Sequence, residues 1–225
     1  MKRSRSSGKV IVNLQGESSE KEHKDYFEKY RFKYLRTGLK NIKDQPYLLY
    51  LFINATLVFI GVLVLDFMSQ PLIVGLGVPV PALGVIIATV FALEFLVLRK
   101  IDFFVTGRSY QQVFLLSGIA VAVFFGFVVL FPDFKYVVIP GFILLRVTST
   151  LRYTILPHLQ NQYIPSGARA TTISILSMLD SILDILIVVS IYFAGQNKMP
   201  IILLAGFILI LIGLLFPARE ARKTA

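Results

Sequence analysis

Residues 47–65 (YLLYLFINATLVFIGVLVL) run for nineteen positions without a charge. A helix rises about 1.5 Å per residue, so this run alone nearly crosses the ~30 Å hydrocarbon core of a bilayer. Pro46 suits the first turn of such a helix, where its missing N–H has no intrahelical partner to lose. Asn54 lies within the run. Asp66, Ser69 and Gln70 follow at its far end, and Pro71 is expected to break the helix there. Asn54, Asp66 and Gln70 can line an outer cavity, or Asp66, near the membrane surface, is merely solvated.

The pattern recurs. Ala82–Leu98 is a second apolar run, interrupted only by Glu94, which can snorkel or pair with Arg99 or Arg152. Val113–Phe131 is free of charge, and Pro132-Asp133-Phe134-Lys135 then makes a tight turn. Tyr136–Leu156 carries Arg146 and Arg152, Thr171–Ala194 carries Asp180 and Asp184, and Met199–Phe216 is uncharged. Hydrophobic residues make up 56% of the 225 and charged ones 16%, too apolar for a soluble domain of this length. The expected fold is therefore an all-α polytopic membrane protein. It has a cytoplasmic basic linker over 1–46, six transmembrane helices over 47–217 and a short tail over 218–225.

The net charge of +10 does not indicate nucleic-acid binding, because twelve of the 23 Lys and Arg fall before Tyr47. Met1–Glu20 reads as mostly disordered. Ser19 and Glu22 have capping-box spacing. From Lys24 to Lys43, Phe27, Tyr30, Tyr34, Leu35, Leu39 and Ile42 recur at helical spacing among basic residues. Such an amphipathic helix can lie on an anionic lipid surface or act as a nucleic-acid arm. A solvated connector is the plainer and preferred reading, and membrane lipids, not nucleic acid, are the expected partner. No cleavable leader is expected, since no apolar core precedes Tyr47.

Basic residues also set the orientation. Nineteen of the 23 fall on the side of the membrane that holds the N-terminus, in the first 46 residues, the loop of Arg99, Lys100 and Arg108, the turn at Arg169, and the tail. Only Lys135 and Lys198 face the other side. Both termini are thus expected in the cytoplasm, with the protein in a plasma or inner membrane.

Residues 145–184 (LRVTSTLRYTILPHLQNQYIPSGARATTISILSMLDSILD) hold the candidate chemistry. A polar turn separates two apolar runs. Pro165 cannot sit inside a helix, Gly167 loosens the turn, and Ser166 can cap a new helix. An ionisable residue inside a span is costly, so it usually has a partner and a task. Arg146 lies ten residues, roughly 15 Å, into a span entered from outside. Asp180 lies nine residues, roughly 14 Å, into one entered from inside. The two are expected to meet near the midplane. Asp184 shares the helix face of Asp180, Arg152 lies nearer the cytoplasm, and Thr148, Ser149, Ser177 and Ser181 add hydroxyls. The pair reads either as a switch whose balance shifts when solute or a proton binds, or as a static pair that fixes packing. His23 and His158 are isolated and read as polar surface residues. With no cysteine and no clustered ligands, neither metal nor cofactor is expected.

A resemblance adds to this. Pro157, Asn161, Ile164, Pro165, Arg169, Ala170, Thr171 and Ser174 stand in the order and spacing of the cytoplasmic turn between the tenth and eleventh helices of major facilitator superfamily transporters. The similarity extends more loosely to residues 70–78 (QPLIVGLGV) and Gly84. Of the superfamily's basic loop signature only Gly107-Arg108 is kept. The resemblance implies a six-helix half of a twelve-helix carrier. It also implies a gating turn at Asn161, Pro165 and Arg169, and a small-molecule solute recognised through Arg146, Asp180, Asp184, Asn54 and Arg152. A missing N-terminal half or a second chain would complete it. Two rival readings remain: a non-transporting half with a structural or assembly role, and a membrane phosphotransferase. The latter is suggested by Asp180-x-x-x-Asp184 after Gly167-Ala168-Arg169, but its two upstream aspartates are absent, with no acid between Asp133 and Asp180.

Overall fold

The structure, a computed structural model, describes residues 38–40, 42–166, 169–194 and 198–216. Most of the amphipathic segment over Lys24–Lys43, Gly167 and the tail from Pro217 lie outside the described residues. Among the described residues, after helical positions at 38–40 and 42–44, these helices follow in order: α1 (Pro46–Gly75), α2 (Val80–Arg99), α3 (Ile101–Val105), α4 (Tyr110–Leu130), α5 (Lys135–Tyr163), α6 (Arg169–Ala194) and α7 (Met199–Leu215). No strand occurs among the described residues. Four of them, α1, α2, α4 and α6, are long and apolar enough to cross a membrane. α7 is apolar but only 17 residues long. α5 has 29 residues but carries Arg146 and Arg152. The protein is an all-α, membrane-embedded bundle.

Helix bounds differ from expectation at two prolines. Pro71 does not break α1, which runs on through Asp66 and Ser69 to Gly75. Pro157 likewise sits inside α5, which continues to Tyr163. A proline removes one N–H and crowds one carbonyl. So close to a helix end, the remaining bonds of the turn hold the geometry. α1 ends instead where Gly77 takes φ +77°, with the Leu76 N–H bonded back to the Leu72 carbonyl. The start of α4 is fixed by a capping box. The Ser109 hydroxyl accepts from the Gln112 N–H at 3.2 Å, and the Gln112 side chain accepts from the Ser109 N–H at 3.1 Å. Ser166, where a new helix is expected to start, has 3-10 helical geometry, and α6 is described from Arg169.

Inside a bilayer, apolar side chains gain little by leaving lipid, so helices are held by close contact and by polar links. α1 and α7 show the first. Gly61 of α1 faces Gly206 and Ile210 of α7, where a Cβ on Gly61 would come within 2.8 Å of the Gly206 carbonyl oxygen. The main core joins Val62, Leu65 and Met68 of α1, Phe125 and Val128 of α4, Phe142 and Leu145 of α5, and Leu203 and Ile210 of α7. A smaller cluster sets Ile42, Leu48 and Phe52 against Ile164, Ile175 and Leu176, docking the root of α6 on α1.

The packed pairs have an internal order. The most extensive are α4 with α5 and α1 with α7; next come α2 with α5, α1 with α5, α4 with α7, and α1 with α6. Exchanging α1 with α5, α2 with α6 and α4 with α7 carries this set onto itself. The contacts Asn54–Arg152 and Asp66–Arg146 show that α1 and α5 run antiparallel. The order of helix packing is thus symmetric under this exchange of two three-helix sets, with α1 and α5 antiparallel. α2 and α6 are its outer members: 11% and 17% of their apolar windows are buried, against 67% for α1.

Candidate functional site

Three polar constellations lie along α1, anchored at Asn54, Asp66 and Thr56. The deepest-buried centres on Arg152, which is fully enclosed. Its guanidinium donates to the Phe114 carbonyl at 2.5 Å and to the Asn54 side-chain oxygen, and lies over the Phe114 ring at 3.5 Å from the centroid. The Asn54 amide in turn donates to the Phe216 carbonyl at 2.8 Å. One arginine therefore ties α5 to α1 and α4, and Asn54 extends the tie to the end of α7. Gly118 makes room for it, since a Cβ there would lie 2.7 Å from an Arg152 nitrogen. Arg152 touches no carboxylate among the described residues.

The second constellation centres on Arg146. It is ion-paired with Asp66 of α1 and, at 3.3 Å, with Glu94 of α2. The Thr150 hydroxyl, one turn along α5, donates to Glu94 at 2.8 Å. Glu94 and Val90 are the only buried residues of α2, so an acid is half of what this helix inserts into the bundle. The expected pairing of Arg146 with Asp180 is thereby corrected. Arg146 meets α1 at Asp66 and Asp180 meets it at Thr56, ten residues or about 15 Å apart along that helix, so the two do not share a level; α5 and α6 are also not a principal packed pair, and α6 lies against α1.

Asp180 instead accepts a 2.5 Å hydrogen bond from Thr56 of α1. Asp184, one turn on, has an enclosed oxygen without a hydrogen-bond partner. The hydroxyl of Tyr153, on α5, is also enclosed and has no hydrogen-bond partner among the described residues, and Arg152, then Asp180, Asp184 and Asp66, lie within electrostatic reach of it. Its ring meets Phe59 of α1 edge-on at 5.0 Å. Ser177 and Ser181 are exposed beside Asp180.

The turn between α5 and α6 is present. Arg169 reaches back to the Asn161 carbonyl at 3.2 Å, Pro165 is exposed, and Ile164 is buried. Tyr163 packs on Tyr47, ring centroids 4.2 Å apart, and accepts from Gln111 at 3.1 Å, so the turn is moored to α1 and α4.

Sequence reasoning placed Asn54, Arg146, Arg152, Asp180 and Asp184 in the membrane interior, but it set Asp66 at the outer end of its span, as a cavity-lining or solvated residue, and misassigned Glu94's partner. A signal for Asp66 was present. Leu65, Met68, Ser69, Leu72 and Ile73 continue the buried helical period past the point where the span was expected to stop. Tyr153 and Phe59 carried no signal, being ordinary aromatics on apolar helices.

No protein-family model matches this chain, and no curated protein or solved structure matches it. The structure defines the class alone: a polytopic helical membrane protein with ion pairs and unpaired carboxylates inside its bundle.

Proposed function

We propose that this protein moves a small solute across a membrane as one six-helix unit of a facilitator-type secondary transporter. On this reading α5 and α7 also span the bilayer, both termini are cytoplasmic, and the full carrier needs a second six-helix unit, which a second copy of this chain supplies. One observation carries the proposal: Asp66, Glu94 and Arg146 join α1, α2 and α5 inside the bundle, partly open to solvent, with side-chain exposures of 12–28%. Charges in that position are costly and typically mark a solute or ion pathway. Two further features support it. The exchange symmetry of the helix packing fits inverted three-helix repeats, the building plan of such carriers, with the binding site at their interface. The turn of Asn161, Pro165 and Arg169 matches the facilitator gating turn in residue and order. A guanidinium shared by two acids also provides ion coupling, because a proton or cation taken up by one acid shifts the arginine toward the other.

The test is an uptake screen in cells making the protein at high level against cells lacking it, with labelled organic cations, sugars and organic anions. Uptake above background for at least one solute is expected, lost in Arg146→Gln at matched membrane yield. A flat screen with correctly inserted protein would overturn the proposal.

A further inference from the structure

Thr56, Phe59, Leu63 and Asp66 recur at spacings of three, four and three, and so share one face of α1. α5 and α6 each pack on α1 more than on one another, and flank this face as two walls. The α5 wall presents Tyr153, placed by its edge-on contact with Phe59. The α6 wall presents Asp180, placed by its bond to Thr56, and Asp184 one turn beyond.

The charges of this crevice do not balance. Asp66, Glu94, Asp180 and Asp184 supply four carboxylates and Arg146 one guanidinium, a net charge of −3 when all are ionised. Arg146 is already committed to Asp66 and Glu94. Arg152, whose guanidinium bonds Phe114 and Asn54, also acts electrostatically on Tyr153, and with it counted the balance is still negative, at −2. Among the described residues neither Asp180 nor Asp184 has an ion-pair partner, and Thr56 is the one hydrogen-bond donor to either. Two enclosed atoms at the same place, the Tyr153 hydroxyl and one Asp184 oxygen, have no hydrogen-bond partner among the described residues. Buried polar atoms in native proteins are overwhelmingly satisfied, so such orphans call for an ordered water or a ligand.

From this we infer that the crevice between α5 and α6 binds an organic cation, a protonated amine or quaternary ammonium that carries apolar surface. The inference rests on the transport reading for its direction of use but not for its chemistry. Asp180 and Asp184 supply the counter-charge, one helical turn apart. Phe59 and Tyr153 supply ring faces, which attract ammonium groups electrostatically. The Tyr153 hydroxyl can accept from an ammonium N–H. A metal ion fits less well, because among the described residues no three His, Cys, Asp or Glu are gathered closely enough to hold one. A neutral or anionic solute would leave the carboxylates uncompensated.

The experiment uses the full chain in lipid nanodiscs, with tritiated tetraphenylphosphonium as the cationic probe and empty nanodiscs as the blank. Tetraphenylborate, matched in shape and apolarity but anionic, is the competitor. Saturable binding is expected that tetraphenylborate does not displace. Asp180→Asn with Asp184→Asn should weaken it at least tenfold, and Tyr153→Ala severalfold. Each variant is compared only at unchanged gel-filtration profile and thermal midpoint, and Asp184→Asn alone serves where the double variant misfolds. Absence of saturable binding, or binding indifferent to the carboxylates, or displacement by tetraphenylborate overturns the inference. The transport reading survives such a result if the uptake screen finds a neutral or anionic solute. Conversely, carboxylate-dependent binding without flux in proteoliposomes supports the cation site and removes the transport reading.

Discussion

Replacing Arg146 by Gln should destabilise the bundle, and the loss should be restored by neutralising Asp66 or Glu94, not Asp180. The magnitude follows from the geometry. Across the 3.3 Å contact with Glu94, the attraction at an effective dielectric of 20 is about 5 kcal/mol. Desolvation offsets much of that, and the exposures of Arg146 and Asp66, 28% and 24%, admit further screening. Removing one partner of a fully buried pair costs about 3–5 kcal/mol. Two stranded acids with partial water access place Arg146→Gln near the lower end, about 3 kcal/mol. Adding Asp66→Asn should recover about 2 kcal/mol, since the remaining acid then has Thr150 as donor and no charged neighbour. Adding Asp180→Asn should recover nothing. The assay is reversible SDS unfolding of the purified full chain in mixed micelles, followed by far-ultraviolet circular dichroism. The single and double variants together form two coupling cycles on Arg146. Recovery by Asp180→Asn equal to that by Asp66→Asn would refute the assignment, and so would a loss below about 1 kcal/mol for Arg146→Gln, the range of an exposed pair.

Other consequences are open to the same or simpler measurements. Gly61→Leu should cost about 3 kcal/mol by forcing α1 off α7, whereas Gly84→Ala, with open space around it, should leave unfolding unchanged or slightly raised. Arg152→Met should cost about 2–3 kcal/mol by stranding the Asn54 oxygen, and Arg152→Lys should restore less than half, because an ammonium cannot reach Asn54 and Phe114 as a planar fork does. Cysteines at Val78 should react with an impermeant reagent added outside cells and cysteines at Ser166 should not; the reverse pattern would invert the proposed topology.

Much of the helical plan was legible in the sequence, because a run such as residues 47–65 leaves the chain few alternatives. The ends were less so. Pro71 and Pro157 read as breakers because the rule concerns a lone helix interior, while each sits within about a turn or two of a helix end that other contacts hold. That error left Asp66 at the outer end of its span, as a cavity-lining or solvated residue. Rise per residue could be counted along the chain, but the level of Arg146 against Asp180 could not, and the two meet α1 ten residues apart, at Asp66 and Thr56. Nor could their partners, since partnering depends on which helices become neighbours, and here α1 stands between α5 and α6. Asn54 and Arg152 were found as intramembrane polar residues, but that they bond each other and close on the last helix is a property of the packed bundle.

The position of Arg146 and Arg152 on a single helix bears on how the chain enters the bilayer during synthesis. By insertion scales each arginine near the middle of a span opposes insertion by about 3 kcal/mol, so on the six-span reading α5 is a poor candidate to leave the translocon alone. Its most extensive partner is α4, joined to it by only four residues, 131–134, and free of charge throughout. The two are suited to enter as a hairpin, with α4 carrying α5. The order of the chain helps further: Asp66, Glu94 and Asn54 are all made before the arginines they will hold, so the counter-groups are already in the membrane when the cations arrive. Moving either acid to a later helix while keeping the same final contacts would leave the finished bundle unchanged, yet deprive α5 of its anchors at the moment of entry.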